Sequence, residues 1–338
     1  MPQSGIIEAP RYISYGICPG AFRPIRPYGD NTAKLQALIN ASAGTGIPID
    51  GYSQKYFVKT LNIPSNVSLR NFYFETLGGT DDFISPITIG SYNDDTLKEN
   101  ISLENIHING NRTNQDSIGA SEDGGRHGFR IIGYVKNVLI KDSSAKYCAS
   151  DGISIYSGIN TRPVAFSPDD PLAYSIRVVN SEFSWNRRHG GSGDSLKTAD
   201  FINCKFNDNG QDIGGSVADG AFGMNIANGF DTEGYGIGSQ VGNIRFLSCE
   251  AVRNKRHGFL FYDPVDSADP DFIQRQYFNL TGCSSDKGNG GTNNFGIEFV
   301  CAVGFELNPI KLYNHIDIIS CTSPDPSNFV SCDNVTVA

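Results

Sequence analysis

One six-residue pattern returns eight times along this 338-residue chain, and that recurrence constrains the fold more than any other feature. The pattern sets apolar residues at alternate places, then Asn, Asp, Ser or Gly, then an apolar or small residue. It reads Val67-Ser68-Leu69-Arg70-Asn71-Phe72, then Ile101-Ser102-Leu103-Glu104-Asn105-Ile106. Further copies run 138–143, 176–181, 199–204, 244–249, 278–283 and 316–321, at spacings of 34, 37, 38, 23, 45, 34 and 38 residues. Alternation with a period of two means a strand with one buried face. Spacing that varies while the copy is kept means coils of a solenoid whose loops differ in length.

The closing residue of the last four copies is Cys: Cys204, Cys249, Cys283 and Cys321. Stacked coils bring these into one inward column, where a free thiol behaves as a small hydrophobe. The eight Cys show no CxxC pair, so buried thiols are expected rather than a disulfide framework. The polar residues just before the closing position (Asn71, Asn105, Asp142, Asn180, Asn203) suit a ladder of side-chain hydrogen bonds at a turn.

A second series carries Gly at its second place: His127-Gly128, Asp151-Gly152, His189-Gly190, Asn228-Gly229, His257-Gly258 and Phe295-Gly296. This predicts a corner that needs either an unusual backbone angle or close approach of another backbone. Because Arg-His-Gly recurs at this corner, at 126–128, 188–190 and 256–258, a structural role is expected for it. Trp185, two residues after Phe183, has the parity of a core residue.

Upstream, Asp30-Asn31-Thr32 supplies N-cap chemistry, and 33–39 has helical spacing that Gly44 and Gly46 end. A helix there would cover the open apolar end of the first coil. The segments expected are an N-terminal extension (1–27), a capping helix with leading strands (28–66), the solenoid (67–325) and a C-terminal tail (326–338). The net charge of −9 argues against a nucleic-acid partner, which needs a basic face. No stretch reaches the length of a membrane span, and no secretory leader is visible.

The run Tyr28 to Ile39, followed by Gly51-Tyr52 and Leu61 to Val67, resembles the start of pectate-lyase-like proteins, and among them phage tailspike depolymerases. The resemblance covers about residues 25 to 325. It implies an all-β fold, a right-handed parallel β-helix with a short N-terminal capping helix. It also implies a homotrimer in a phage virion tail, acting on a bacterial surface polysaccharide, capsule or O-antigen. Tailspikes usually continue into a C-terminal trimerisation region, and little follows Cys321 here. The missing leader fits a particle protein made in the host cytoplasm.

If the residue after Gly in the second series points inward, the next points out. The first outward column is then Arg130, Ser154, Ser192, Asp231, Leu260, Glu298, and the second is Ile132, Tyr156, Asp194, Glu233, Tyr262, Val300. Asp194, Asp231 and Glu233 converge within spacings of about 4.8 Å between coils and about 6.6 Å along a strand. Carboxylates this close cannot all ionise cheaply, which suits acid and base roles in glycosidic cleavage. These three are the candidate catalysts. Arg130, Tyr156, Tyr262 and Glu298 are the candidate substrate contacts, with Asp212 and Asp219 as substitutes for one of the acids. No zinc-type spacing and no nucleotide-binding motif is present, so no metal and no cofactor is expected. Endo-acting hydrolysis is the favoured reading. A lyase using Tyr156, Tyr262 or Arg130, and an adhesin without catalysis, remain alternatives.

Overall fold

A computed structural model describes residues 7–8, 29–78, 85–91, 96–115, 125–133, 135–156, 175–194, 198–214, 223–233, 243–264, 275–286, 297–302, 313–319, 321, 328–330 and 335–337. The chain is a right-handed parallel β-helix. Thirteen strands form one sheet and nine a second, and every described pairing is parallel. All eight copies of the first pattern lie in the long sheet, in chain order. The second series, from Phe129–Ile132 to Ile297–Ala302, lies in the nine-stranded sheet, again in order. A third wall of short strands runs through Ser144–Lys146, Glu182–Ser184, Glu250–Ala251 and Ser284–Ser285, with Lys205 bridging Glu182 to Glu250.

Apolar positions stack by register because parallel strands repeat the same face at every coil. One inward file reads Leu69, Leu103, Ile140, Val178, Phe201, Phe246, Leu280. In the middle coils it becomes aromatic, with Phe201 and Phe246 stacked at 4.9 Å between centroids. Phe206, Phe230 and Phe259 meet this stack edge-on from the other walls. Edge-to-face contacts of this kind add to the area each ring buries.

The polar turn residues form the expected ladder. Asn105 Nδ2 donates to Asn71 Oδ1 at 2.7 Å, Asn180 to Asp142 at 3.0 Å, and Asn203 to Asn180 at 3.0 Å. Asn71, Asn105, Asp142, Asn180 and Asn203 all have φ between 49° and 58°. Asn and Asp tolerate that left-handed region better than other residues with a Cβ. The position after it holds the thiols. Cys249 Sγ accepts the Cys204 N–H at 3.4 Å, and Cys321 Sγ accepts that of Cys283 at 3.4 Å. Cys204, Cys249 and Cys283 are buried, and all four column cysteines are free.

The corner glycines resolve an alternative left open by the sequence. Gly128, Gly152, Gly190 and Gly229 have no positive φ; a Cβ there would instead lie 2.4–2.7 Å from the carbonyl oxygen of the corner glycine one coil on. Close approach of backbone is therefore the reason for Gly. The helix forms at Thr32–Ser42 and buries Leu35 and Ile39 against the first coil. Asp30 Oδ1 accepts the Thr32 N–H at 2.8 Å, while Asn31 Oδ1 accepts the Phe57 N–H at 3.0 Å and so sews the helix start to the solenoid.

Candidate functional site

The nine-stranded sheet aligns the candidate residues as the two columns require. Arg130, Ser154, Ser192, Asp231, Leu260 and Glu298 are successive register partners. Tyr156 pairs with Asp194, and Glu233 with Tyr262. Asp194 and Glu233 each stand one step beyond the paired residues Gly193 and Thr232. The side chains of Asp194, Glu233, Tyr262 and Glu298, and the whole of Asp219, lie outside the described residues. Asp212 is exposed; it accepts the Gly223 N–H at 2.8 Å and faces Lys255 at 3.8 Å.

The first column differs from expectation in its surroundings. Its outward residues were expected to face solvent, yet Arg130, Ser154, Ser192, Asp231 and Leu260 are all buried, Asp231 to 2%. Arg130 stands three strands from Asp231, about 14 Å at ordinary strand spacing, so it does not join the acids. Tyr156 remains partly exposed.

Beside this column runs a hydrogen-bonded corner that threads six coils. Each corner side chain accepts the backbone N–H of the corner residue one coil on. Ser85 Oγ accepts from His127 at 3.2 Å, His127 Nδ1 from Asp151 at 3.3 Å, and Asp151 Oδ1 from His189 at 3.0 Å. His189 Nδ1 then accepts from Asn228 at 2.9 Å, and Asn228 Oδ1 from His257 at 3.0 Å. Each of these side chains carries an acceptor one or two bonds beyond Cβ, which accounts for the His, Asp and Asn choices in the repeat. The recurring Arg-His-Gly is structural, as its repetition implied.

The ladder fixes the His189 tautomer. With Nδ1 accepting, Nε2 carries the proton and faces Asp231 Oδ2 at 3.3 Å, beside the Asn228 Nδ2 donor at 3.0 Å. Burial, then the Arg188 charge, pushes the His189 pKa down to about 3, so the ring is neutral. Asp151, fully buried, also accepts from Arg188 Nε at 2.9 Å and Ser192 Oγ at 2.8 Å. Burial acts to raise its pKa, but the Arg188 charge, with His127 and His189, outweighs this and holds the carboxyl well below the usual range. Asp151 was not singled out from the sequence as more than a corner residue. The signal was its place as the acidic member of a series that otherwise holds His127, His189, Asn228, His257 and Phe295.

Trp185 is corrected outright. It sits at the corner after Glu182–Ser184 with φ 61°, partly exposed and stacked on Tyr147, which has φ 56°. Period-two parity fails there because a left-handed residue ends the strand.

No protein-family model matches the sequence, and no curated protein matches it. Among solved structures, the surface adhesin PfbA of Streptococcus pneumoniae is similar at 11% identity, over 98% of this chain and 88% of that one, with a TM-score of 0.50. Gene product 12 of bacteriophage phi29, in its pre-mature form, shares 15% identity over 88% of this chain and 40% of that one, TM-score 0.49. The A-module of the Azotobacter vinelandii mannuronan C-5 epimerase AlgE4 shares 13% over 92% and 96%, TM-score 0.40. At these identities a likeness concerns fold alone, and the similarity to the adhesin supports the parallel β-helix already described.

Proposed function

We propose that this chain binds a polysaccharide along the outer wall of its nine-stranded sheet and cleaves it by carboxylate acid–base hydrolysis. The reading is carried by one observation: Tyr156 and Asp194, then Glu233 and Tyr262, occupy one register position on four neighbouring parallel strands. Two acids one strand apart, about 4.8 Å at the backbone, are flanked on each side by an aromatic residue. One carboxyl can protonate the leaving oxygen while the other attacks or activates water. In this reading Asp231 acts beside Glu233 through the charge it holds against His189. Glu298 contacts sugars farther along the wall, whereas Arg130 is buried within it. By its resemblance to tailspikes, the substrate is a bacterial capsule or O-antigen, and the working form is a homotrimer on a phage particle.

Burial of Asp231 supports a second reading, glycan binding without cleavage, because a carboxylate closed off from solvent cannot reach a sugar. A panel of capsular and O-antigen polysaccharides, with mass spectrometry of any fragments, separates the two. Hydrolysis predicts saturated fragments, with Glu233→Gln and Asp194→Asn each lowering the rate about 10²–10⁴-fold while glycan binding persists. Unsaturated fragments would instead identify a lyase. Binding with no fragments from any glycan bound by the wild-type chain overturns cleavage.

A further inference from the structure

Away from that wall, the third wall holds a polar arrangement with every hydrogen-bond direction determined. Asn105 and His107 lie on the strand Lys98–Asn109, and Ser144 opens the neighbouring strand as the register partner of His107. Asp50 can only accept, and it takes Asn71 Nδ2 at 3.1 and 3.2 Å and Arg70 Nε at 3.0 Å. That leaves Asn71 Oδ1 as acceptor for Asn105 Nδ2 at 2.7 Å. Asn105 Oδ1 must then accept from His107 Nε2 at 2.8 Å, so this nitrogen carries the ring proton. His107 Nδ1 is left with a lone pair, 2.9 Å from Ser144 Oγ, and the hydroxyl donates to it.

The arrangement is that of a nucleophile, a base and a group that orients the base. Ser144, His107 and Asn105 are each only partly buried, so a reactant can reach them. Burial, then the Lys146 charge, lowers the His107 pKa, which keeps the ring neutral and able to take a proton. Lys146 lies two residues after Ser144 on the same face of its strand and is held by Glu182 at 2.6 Å. Its charge acts on the His107 ring. Tyr73, exposed, sits beside the His107 ring at 6.4 Å between centroids.

We propose that Ser144, with His107 as base and Asn105 as the positioning residue, hydrolyses short-chain carboxylic esters. Ser144 Oγ attacks the ester carbonyl carbon as its proton passes to His107 Nδ1. The tetrahedral intermediate collapses, the bond to the alcohol oxygen breaks, and His107 returns the proton to that oxygen. Water then attacks the acyl-serine, gives a proton to His107, and the acid leaves as Ser144 regains its hydrogen. The balance is ester plus water to alcohol plus carboxylic acid, with no redox change. An acyl group on a sugar hydroxyl is the matching natural substrate, and that clause alone rests on the polysaccharide reading.

The test is p-nitrophenyl acetate with the full chain, followed by peptide mapping of a rapidly quenched sample. Turnover above the buffer rate is expected, with an acetyl adduct on the peptide containing Ser144. Ser144→Ala and His107→Gln should each lower turnover about 10²-fold or more, and the double variant no further. Turnover should rise with pH through a midpoint below that of an ordinary His. A Ser144 with only a structural role would leave turnover and its pH profile unmoved. No adduct on the wild-type chain, or equal turnover in a folded Ser144→Ala, overturns the proposal without touching polysaccharide cleavage, which the fragment panel reads separately.

Discussion

His189 is enclosed by charged groups and yet neutral, and this gives the molecule a defined response to acid. Its folded pKa, about 3, lies below the unfolded value of about 6.5. Between those values the unfolded chain binds a proton that the folded chain refuses, so stability falls as pH drops through that window. The slope from this one group approaches about 1.4 kcal/mol per pH unit. Asp151 adds to the loss only below about pH 4, where its unfolded carboxyl begins to protonate while the folded one stays ionised. His189→Asn keeps an acceptor for the Asn228 N–H, as Asn228 itself does for His257. Urea midpoints measured from pH 7 to pH 4.5 should fall less steeply in that variant than in the wild type. An unchanged slope would remove His189 as the cause.

At the scale of the elements, Asn or Asp holds the left-handed turn position from Asn71 to Asn203, and the residue then changes to Ser248 (φ 54°) and Gly282 (φ 62°). A Ser in the left-handed region carries strain that Asn bears better, and Ser248 stands one coil beyond Asn203. Ser248→Asn should therefore raise stability by about 0.5–1 kcal/mol, read as a higher denaturation midpoint. A lower midpoint would mean that this turn is built differently from its neighbours. The ladder was legible in the sequence because a fixed residue type recurred at a fixed place in each copy. Trp185 was not legible: its place depended on a backbone angle that parity does not carry. The Ser144–His107–Asn105 arrangement escaped for a related reason. Its members are 2 and 37 residues apart, and the pairing appears only once the third wall is known to follow the long sheet.

For the whole molecule, the buried thiols, Cys148 and the column of Cys204, Cys249 and Cys283, report on integrity. Cys148, Cys204, Cys249 and Cys283 are buried, and burial pushes the Cys148 and Cys249 thiols up, away from the reactive thiolate. Sγ of Cys249 and Cys283 donates to carbonyls of the preceding coil, Phe201 and Phe246. Their modification by a thiol reagent should track global unfolding in urea rather than precede it. Fast labelling of all four in the native chain would contradict the packed column. Repeat, parity and turn chemistry determined that the chain coils, which apolar residues within the strands face the core and which strands are neighbours. Each of these follows from a local pattern that every coil repeats. Only the tertiary structure decided that the Asp231 column is closed off, that the corner glycines answer to a neighbouring backbone, and that His107 meets Ser144. Those facts depend on what stands opposite a residue across coils and walls, and that neighbour is set by loop lengths and turn angles that differ from coil to coil.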